Sequence, residues 1–435
     1  MNYDNASDAY RQRYAYKPES KLDEFCREIT FQVTEACNLR CTYCYQINKS
    51  PKIMSWETAQ ACVDLLFRMY KENDPHGFIN RNTEFLILDF IGGEPMLQIG
   101  LISKIVDYFM QKAIVEVPKW AETFMISISS NGTIYFTDEV QKFIKKWYSR
   151  LSYSVSIDGY KEMHDKCRIF PDGSGSYDLA KAAQDHYNST HALPTGTKAT
   201  ISWENMPYLE KTILYFIAQG YKSIHANTIY EEDWTVEQAR FFYKKLKEVA
   251  DILLERHGKI EISLFDSNFF KPKVDMKKTW CGGYDNMLAF DTEGNAYPCI
   301  RYMESSLGSD APPVIIGDAW NGLWKTPKQK LCHECLAAVT WTSQNDDECL
   351  NCPIAEGCAD CAAESYQKFK CFNKRHKMGS CWVHRARSLA NVYYWNKLRL
   401  QEDYNYKFKR YLPDDIALQI VTKEELDMLN ALEGG

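Results

Sequence analysis

No stretch of the 435 residues approaches the 18 or so apolar positions a membrane-spanning helix needs. The opening Met-Asn-Tyr-Asp-Asn-Ala-Ser-Asp has no apolar signal core. Both absences lead us to expect a cytoplasmic protein with no membrane partner. Positive charge is also scarce: 52 Lys and Arg face 58 Asp and Glu, a net charge of −6. That balance offers no broad basic surface, so no nucleic acid partner is expected. The glycine-rich Asp172-Gly173-Ser174-Gly175-Ser176 lacks the Gly-Lys-Ser/Thr ending of a phosphate-binding loop and reads as a plain loop.

Cysteine is what the chain has in abundance, sixteen in all. In a small secreted domain they would suggest disulfides, but a large intracellular chain more often gathers them around metals, in a reducing and oxygen-poor compartment. Cys37, Cys41 and Cys44 lie within eight residues, in Cys-Asn-Leu-Arg-Cys-Thr-Tyr-Cys-Tyr. A four-iron cluster takes four thiolates, and this C-x3-C-x2-C loop offers three, which leaves one iron for an outside ligand. Structural zinc wants four ligands, usually from two C-x2-C pairs, and no His or fourth Cys follows Cys44.

Around the triad the pattern is strand then helix, repeated. Glu28 to Val33 alternates as a strand and feeds the triad loop, after which Ser55 can cap a helix from Trp56 to about Tyr70. Strands at 85–91, 124–129, 153–157, 197–201 and 223–226 each precede a helical segment, the last being the amphipathic 236–256. Six such units predict a parallel sheet with right-handed crossovers; periodicity leaves a flat and a curled sheet both open. Ten cysteines then fall between Cys281 and Cys381, marking a second domain. We expect an N-terminal extension at 1–27, a barrel at 28–265, a cysteine-rich domain at 266–385 and a helical tail at 386–435.

The triad, with aromatic Tyr43 just before its last Cys, resembles the signature of the radical S-adenosylmethionine (radical SAM) enzymes. The resemblance implies a partial (β/α)6 barrel with its functional groups at the strand C-terminal ends. It also implies that SAM chelates the open iron and is cleaved to a 5′-deoxyadenosyl radical. Gly92-Gly93-Glu94-Pro95 resembles the family's motif for the SAM amino group. Ser130 and Asn131 after the third strand, and Ser156 and Asp158 closing the fourth, resemble its ribose-contacting segments. Arg168 matches an arginine that reaches the SAM carboxylate. Taken singly, these Ser, Asn, Asp and Gly residues are also ordinary turn formers. Cys167, beside them, is a candidate hydrogen-atom donor.

The later cysteines resemble the SPASM module of peptide-modifying radical SAM enzymes. Carried over, its ligation gives a first auxiliary cluster on Cys281, Cys299 and Cys361 and a second on Cys349, Cys352, Cys358 and Cys381, so three [4Fe–4S] clusters with the triad. The gap from Cys358 to Cys361 is one residue shorter than usual, and the first auxiliary set has only three ligands. Its fourth site is either open to a substrate thiol or filled by Cys332 or Cys335, while Cys371 competes with Cys381. Zinc is the rival for the C-x2-C pairs.

This resemblance points to a ribosomally made, Cys-containing precursor peptide and a low-potential electron donor such as ferredoxin or flavodoxin. Sulfatase maturases carry an Asp just after the cysteine matching Cys299; Ile300 stands there instead. Cys352-Pro-Ile-Ala-Glu-Gly-Cys358 and the segment 390–396 look closer to maturases of precursors with repeated cysteines, whose product is a thioether crosslink. Carbon–carbon or ether crosslinking, epimerisation and formylglycine formation are the enzymatic alternatives, and a zinc-ribbon interaction protein the non-enzymatic one. Only 36 residues precede Cys37, fewer than a leader-gripping domain needs. The leader is therefore expected on a separate protein or the barrel surface, with Arg385, Arg387 and Arg399 as weaker candidates.

Overall fold

The computed structural model describes residues 25–191, 196–273, 281, 283, 285–402 and 407–434. Most of the expected N-terminal extension lies outside the described residues. The strand β1 (Cys26–Thr34) is the axis of the fold, with six consecutive buried residues from Ile29 to Thr34. Such a run suits a strand covered on both faces and flanked on both edges. On one edge it pairs in parallel with β2 (Phe85–Gly92), followed by β3 (Met125–Ser130) and β4 (Leu151–Val155).

The crossovers carry helices α1 (Trp56–Glu72), α2 (Ile99–Glu116) and α3 (Asp138–Trp147). As expected, the Ser55 side chain caps α1 by accepting from Thr58 N. β2 alternates strictly: Leu86, Leu88 and Phe90 are buried, while Ile87, Asp89 and Ile91 remain partly accessible. Ser127, Ser129 and Ser154 continue that accessible face on β3 and β4. One face of the sheet is therefore apolar and helix-covered, the other polar.

After β4 come α4 (Lys161–Cys167), α5 (Tyr177–Thr190), β5 (Ala199–Ile201), α6 (Leu209–Ala218), β6 (Ser223–Ile224), β7 (Ala226–Thr228), α7 (Val236–Leu254) and β8 (Glu261–Ile262). Here the continuous ladder stops. β5 pairs with β7, and β6 with β8, as two short parallel sheets. A side chain spans the seam: Asp158 Oδ1, just past β4, accepts from Thr200 N at 3.3 Å.

On its other edge β1 pairs in parallel with β9 (Met287–Phe290), from Glu28 opposite Met287 to Phe31 opposite Phe290. β9 folds back into β10 (Asn295–Tyr297) through the expected hairpin, turned at Gly294 with φ of 80°. A Cβ would be strained there. β11 (Gly317–Asp318) and β12 (Gly322–Leu323) complete an eight-stranded sheet. Phe31 packs on Phe90 at 5.5 Å and on Phe290 at 5.9 Å, joining the first half and the cysteine-rich half in one core.

That half then contains α8 (Pro327–Ala337), α9 (Ala362–Phe369) and α10 (Cys381–Glu402), with α11 (Lys423–Gly434) near the end. α10 lies along α7, where Tyr393 donates to Asp251 at 2.6 Å. Among the described residues, no helix is long and apolar enough to cross a membrane.

Candidate active site and metal centres

The loop after β1 carries the triad and is held from three sides. Arg40 N donates to Ile169 O at 2.7 Å and Thr42 N to Cys167 O at 3.0 Å, tying the loop to the end of α4. Asn38 donates to Thr133 and accepts from Asn131, at 2.7 and 2.8 Å, tying it to the segment after β3. The end of β2 supplies the third side: Gly93 N donates to Thr34 O at 3.1 Å and Glu94 N to Ala36 O at 2.9 Å. A Cβ on Gly93 would lie 2.5 Å from Ala36 O and 2.6 Å from Cys37 Cβ. Gly92 and Gly93 are thus required by the cysteine loop itself. Burial pushes the Cys37 and Cys41 thiols up, and the nearby Arg168 charge works against it at Cys41.

The expected SAM residues share this rim. Glu94 is 1% exposed and its carboxylate accepts from Ser130 Oγ at 2.8 Å, Asn131 N at 2.7 Å and Met96 N at 3.1 Å. Burial still raises its pKa. Ser156 N donates to Ser130 O at 2.8 Å. Asp158, fully buried, accepts from Arg168 Nε at 2.9 Å, from Arg168 Nη2 at 3.2 Å and from the Tyr43 hydroxyl. Arg168 also lies 5.4 Å over the Tyr43 ring. The guanidinium is therefore fixed between Asp158 and Cys41. Cys167 is buried beneath the loop, and that burial pushes its thiol to about 11.

The later cysteines fall into two sets. Cys352, Cys349, Cys358 and Cys381 line one small cavity, together with Arg375 and Arg385. Burial pushes Cys349 up to about 12 and Cys381 to about 11. Arg375 Nη2 donates to Cys358 Sγ at 2.9 Å, while its Nε and Nη1 are buried and without a hydrogen-bond partner.

Cys281, Cys299 and Cys361 are electrostatic neighbours. A Cβ on Gly283 would meet Cys281 Sγ at 3.2 Å and Cys299 Sγ at 3.8 Å. Cys332 and Cys335 neighbour each other on α8, and Cys371 is exposed beyond α9.

A cavity of about 280 Å³ opens beside the triad loop. Tyr43, Cys44 and Tyr45 of that loop line it together with Arg301, Glu231 and Glu232. Arg301 pairs with Glu231 at 2.8 Å, lies 4.9 Å over the Tyr45 ring and is an electrostatic neighbour of Cys299 and Cys361. The sequence reading missed Tyr45, Arg301, Glu231, Glu232 and Arg375. Position was the available signal: Tyr45 follows the triad, Arg301 stands two residues after Cys299, and Glu231-Glu232 follow the last barrel strands.

The donor chemistry fits iron–sulfur clusters. All three sets are thiols, and the buried Arg375, whose Nη2 donates to Cys358 Sγ and whose Nε pairs with Asp360 at 3.8 Å, brings a positive charge that suits an anionic group among four thiolates. Among the described residues, no three His, Cys, Asp or Glu side chains converge tightly enough for a single metal ion.

An α/β fold with a parallel core and a cysteine-rich second half is the class of fold seen here, and comparison with known proteins narrows it. No family model matches. An uncharacterized protein of Methanocaldococcus jannaschii is 31% identical over 200 residues, 46% of this chain and 61% of that relative, so the match spans less than two thirds of its length. The cysteine-type anaerobic sulfatase-maturating enzyme of Clostridium novyi is 31% identical over 290 residues, 61% of this chain and 71% of the relative. Among solved structures, anSMEcpe with bound AdoMet and the Cp18Cys peptide matches in fold, with TM-score 0.61 and 17% identity over 87% of this chain and 99% of that one. The chain belongs to the radical SAM maturase family that contains the cysteine-type anaerobic sulfatase-maturating enzymes.

Proposed function

We propose that this protein is a radical SAM maturase of a ribosomally made peptide, and that it installs a thioether between a substrate Cys and a carbon of a second residue. The observation that carries this reading is the cavity lined by both Cys44 and Arg301, the latter an electrostatic neighbour of Cys299 and Cys361. A peptide segment in it would lie between the SAM-binding cluster and an auxiliary one.

In this reading Cys37, Cys41 and Cys44 hold the SAM-binding [4Fe–4S] cluster, with Tyr43, Gly92, Gly93, Glu94, Ser130, Asn131, Ser156, Asp158 and Arg168 around SAM. Cys281, Cys299 and Cys361 hold the first auxiliary cluster. Cys349, Cys352, Cys358 and Cys381 hold the second, which is supported by their common cavity. When bound, the cofactors would supply a deoxyadenosyl radical able to take one hydrogen atom from the peptide and an acceptor for the one electron released, with the thiol proton, on C–S bond formation. Glu94 braces the rim rather than moving a proton, since its oxygens are committed to Ser130, Asn131 and Met96. Arg301, paired with Glu231 and lying over the Tyr45 ring, ties the segment after Cys299 to the end of the triad loop and so fixes the lining of the cavity.

Formylglycine formation is the second reading, favoured by the sulfatase-maturating relative. Ile300 supplies no base in the place where that chemistry would use one. Anaerobic reconstitution with SAM, reductant and the candidate precursor tests both. A product two hydrogens lighter per bond, with one Cys per bond resistant to alkylation, is the expected result. A free aldehyde would select formylglycine, and intact SAM would refute the family reading of the triad.

A further inference from the structure

Glu231, Glu232 and Asp233 are consecutive and acidic, but their surroundings differ. Glu231 has Arg301 at 2.8 Å. Asp233 has Lys368 at 3.0 Å and His376 at 2.6 Å. Glu232, which lines the cavity, has no cationic partner among the described residues; its carboxylate accepts only from the backbone N–H of Trp203, at 3.1 and 3.2 Å. Glu204, next in sequence to Trp203 and an electrostatic neighbour of Glu232, also lines the cavity; it accepts from Thr42 at 3.2 Å and pairs with Lys166 at 3.7 Å. The Ser202 hydroxyl, 3% exposed, belongs to the lining too and lies beside the Cys167 thiol.

A half-buried carboxylate whose acidic neighbours Glu231 and Glu204 hold the nearby Arg301 and Lys166, and which has no cationic partner of its own among the described residues, is costly to keep charged. Burial and the charges of Glu231 and Glu204 accordingly raise the Glu232 pKa. The arrangement is stable once a cation enters. An apolar collar flanks the acids: Ile47 of the lining is 55% exposed, and Trp203, 42% exposed, is held edge-on against Phe241 at 5.5 Å. A long aliphatic stem with a charged tip fits both features.

We propose that the cavity takes a lysine or arginine side chain of the peptide substrate, with Glu232 as its counter-ion, so that the segment presented to the triad loop is basic. This rests on the maturase reading and adds the class of peptide that the enzyme selects. Arg301 is already neutralised by Glu231 and so does not repel the incoming cation.

The test uses the reconstituted full-length protein and short fluorescent peptides with one Cys, identical except for Lys, norleucine or Glu beside it. Affinity is read by anisotropy at low salt, for wild type, Glu232→Gln and Glu424→Gln. The last variant removes the same charge from an exposed site on α11. The expected result is about tenfold tighter binding of the Lys peptide than of the Glu peptide, largely lost in Glu232→Gln and kept in Glu424→Gln.

Equal binding of the three peptides, no binding of the Lys peptide, or the same loss in both variants overturns the proposal. So does Glu232→Gln weakening SAM and sparing the peptide preference, which would assign the carboxylate to the sulfonium. Deoxyadenosine formation by wild type is scored separately. Lys selectivity without SAM cleavage would sink the maturase reading alone, and SAM cleavage without selectivity would sink this inference alone.

Discussion

Gly93 lets two sequence-distant loops touch. Replacing it with Ala drives a methyl group into the Ala36 carbonyl and Cys37, backbone and a ligand candidate that cannot swing aside. Gly93→Ala should cost ~1–3 kcal/mol and lower the iron of the triad site, read by iron analysis after reconstitution. Iron and SAM cleavage at wild-type levels would contradict this account of the motif. His164 offers a pH test. It is fully buried against Ser176, and burial lowers its pKa to about 4. A histidine depressed in the fold adds stability that is fully present above the unfolded value near 6.5 and is lost as pH falls toward 4. His164→Gln should flatten the fall in unfolding free energy of the apoprotein over that window, by up to roughly 3 kcal/mol, read by denaturant titration at each pH. Glu28, raised to about 7 by burial, acts in the opposite sense, so the difference between variant and wild type is what isolates His164. Of these residues the motif glycines were legible in sequence, but their purpose was not, because no linear pattern says which backbone will lie against them.

α10 begins with Cys381 and continues as a buried helix through Leu389, Ala390 and Val392. One element thus anchors a ligand candidate and packs along α7. Leu389→Ala should cost ~2–5 kcal/mol and also depress iron at the second auxiliary site, whereas Thr235→Ala at the α7 capping box should cost ~1 kcal/mol and leave iron unchanged. Melting curves and iron counts on both variants separate local fraying from loss of the cluster frame. Most helices were legible from apolar spacing and caps, as the Ser55 cap of α1 shows. The expected segments at 197–201 and 223–226 cover β5 and β6, but β7 as a separate strand, β8 and the pairing of all four were not legible. Two or three residues carry too little alternation to select a partner, and Asp158 bridges the seam to β4 with a side chain.

At the scale of the molecule, the eight-stranded sheet runs from the first half into the cysteine-rich half through β1 and β9. The two halves should therefore unfold together. Denaturation followed by tryptophan emission and by cluster absorbance is expected to give coincident transitions, and two separated transitions would contradict the shared core. Full reconstitution should give about twelve irons, falling to about eight when Cys37, Cys41 and Cys44 are all replaced by Ala, with the fold retained. Cys299→Ala should keep uncoupled SAM cleavage and lose crosslinking; unchanged crosslinking would remove Cys299 from the first auxiliary set.

By itself the sequence determined the triad, the strand–helix rhythm and the family resemblance, because ligand spacing within one loop and apolar period are local properties of a chain. Only the tertiary structure decided that β9 docks on β1, that Arg301 of the cysteine-rich half lies over the Tyr45 ring, and that Glu232 has no cationic partner of its own among the described residues. The first two depend on which surfaces meet across more than 250 residues of chain. Such long-range contacts are selected by packing and charge compensation in three dimensions, which local pattern does not encode.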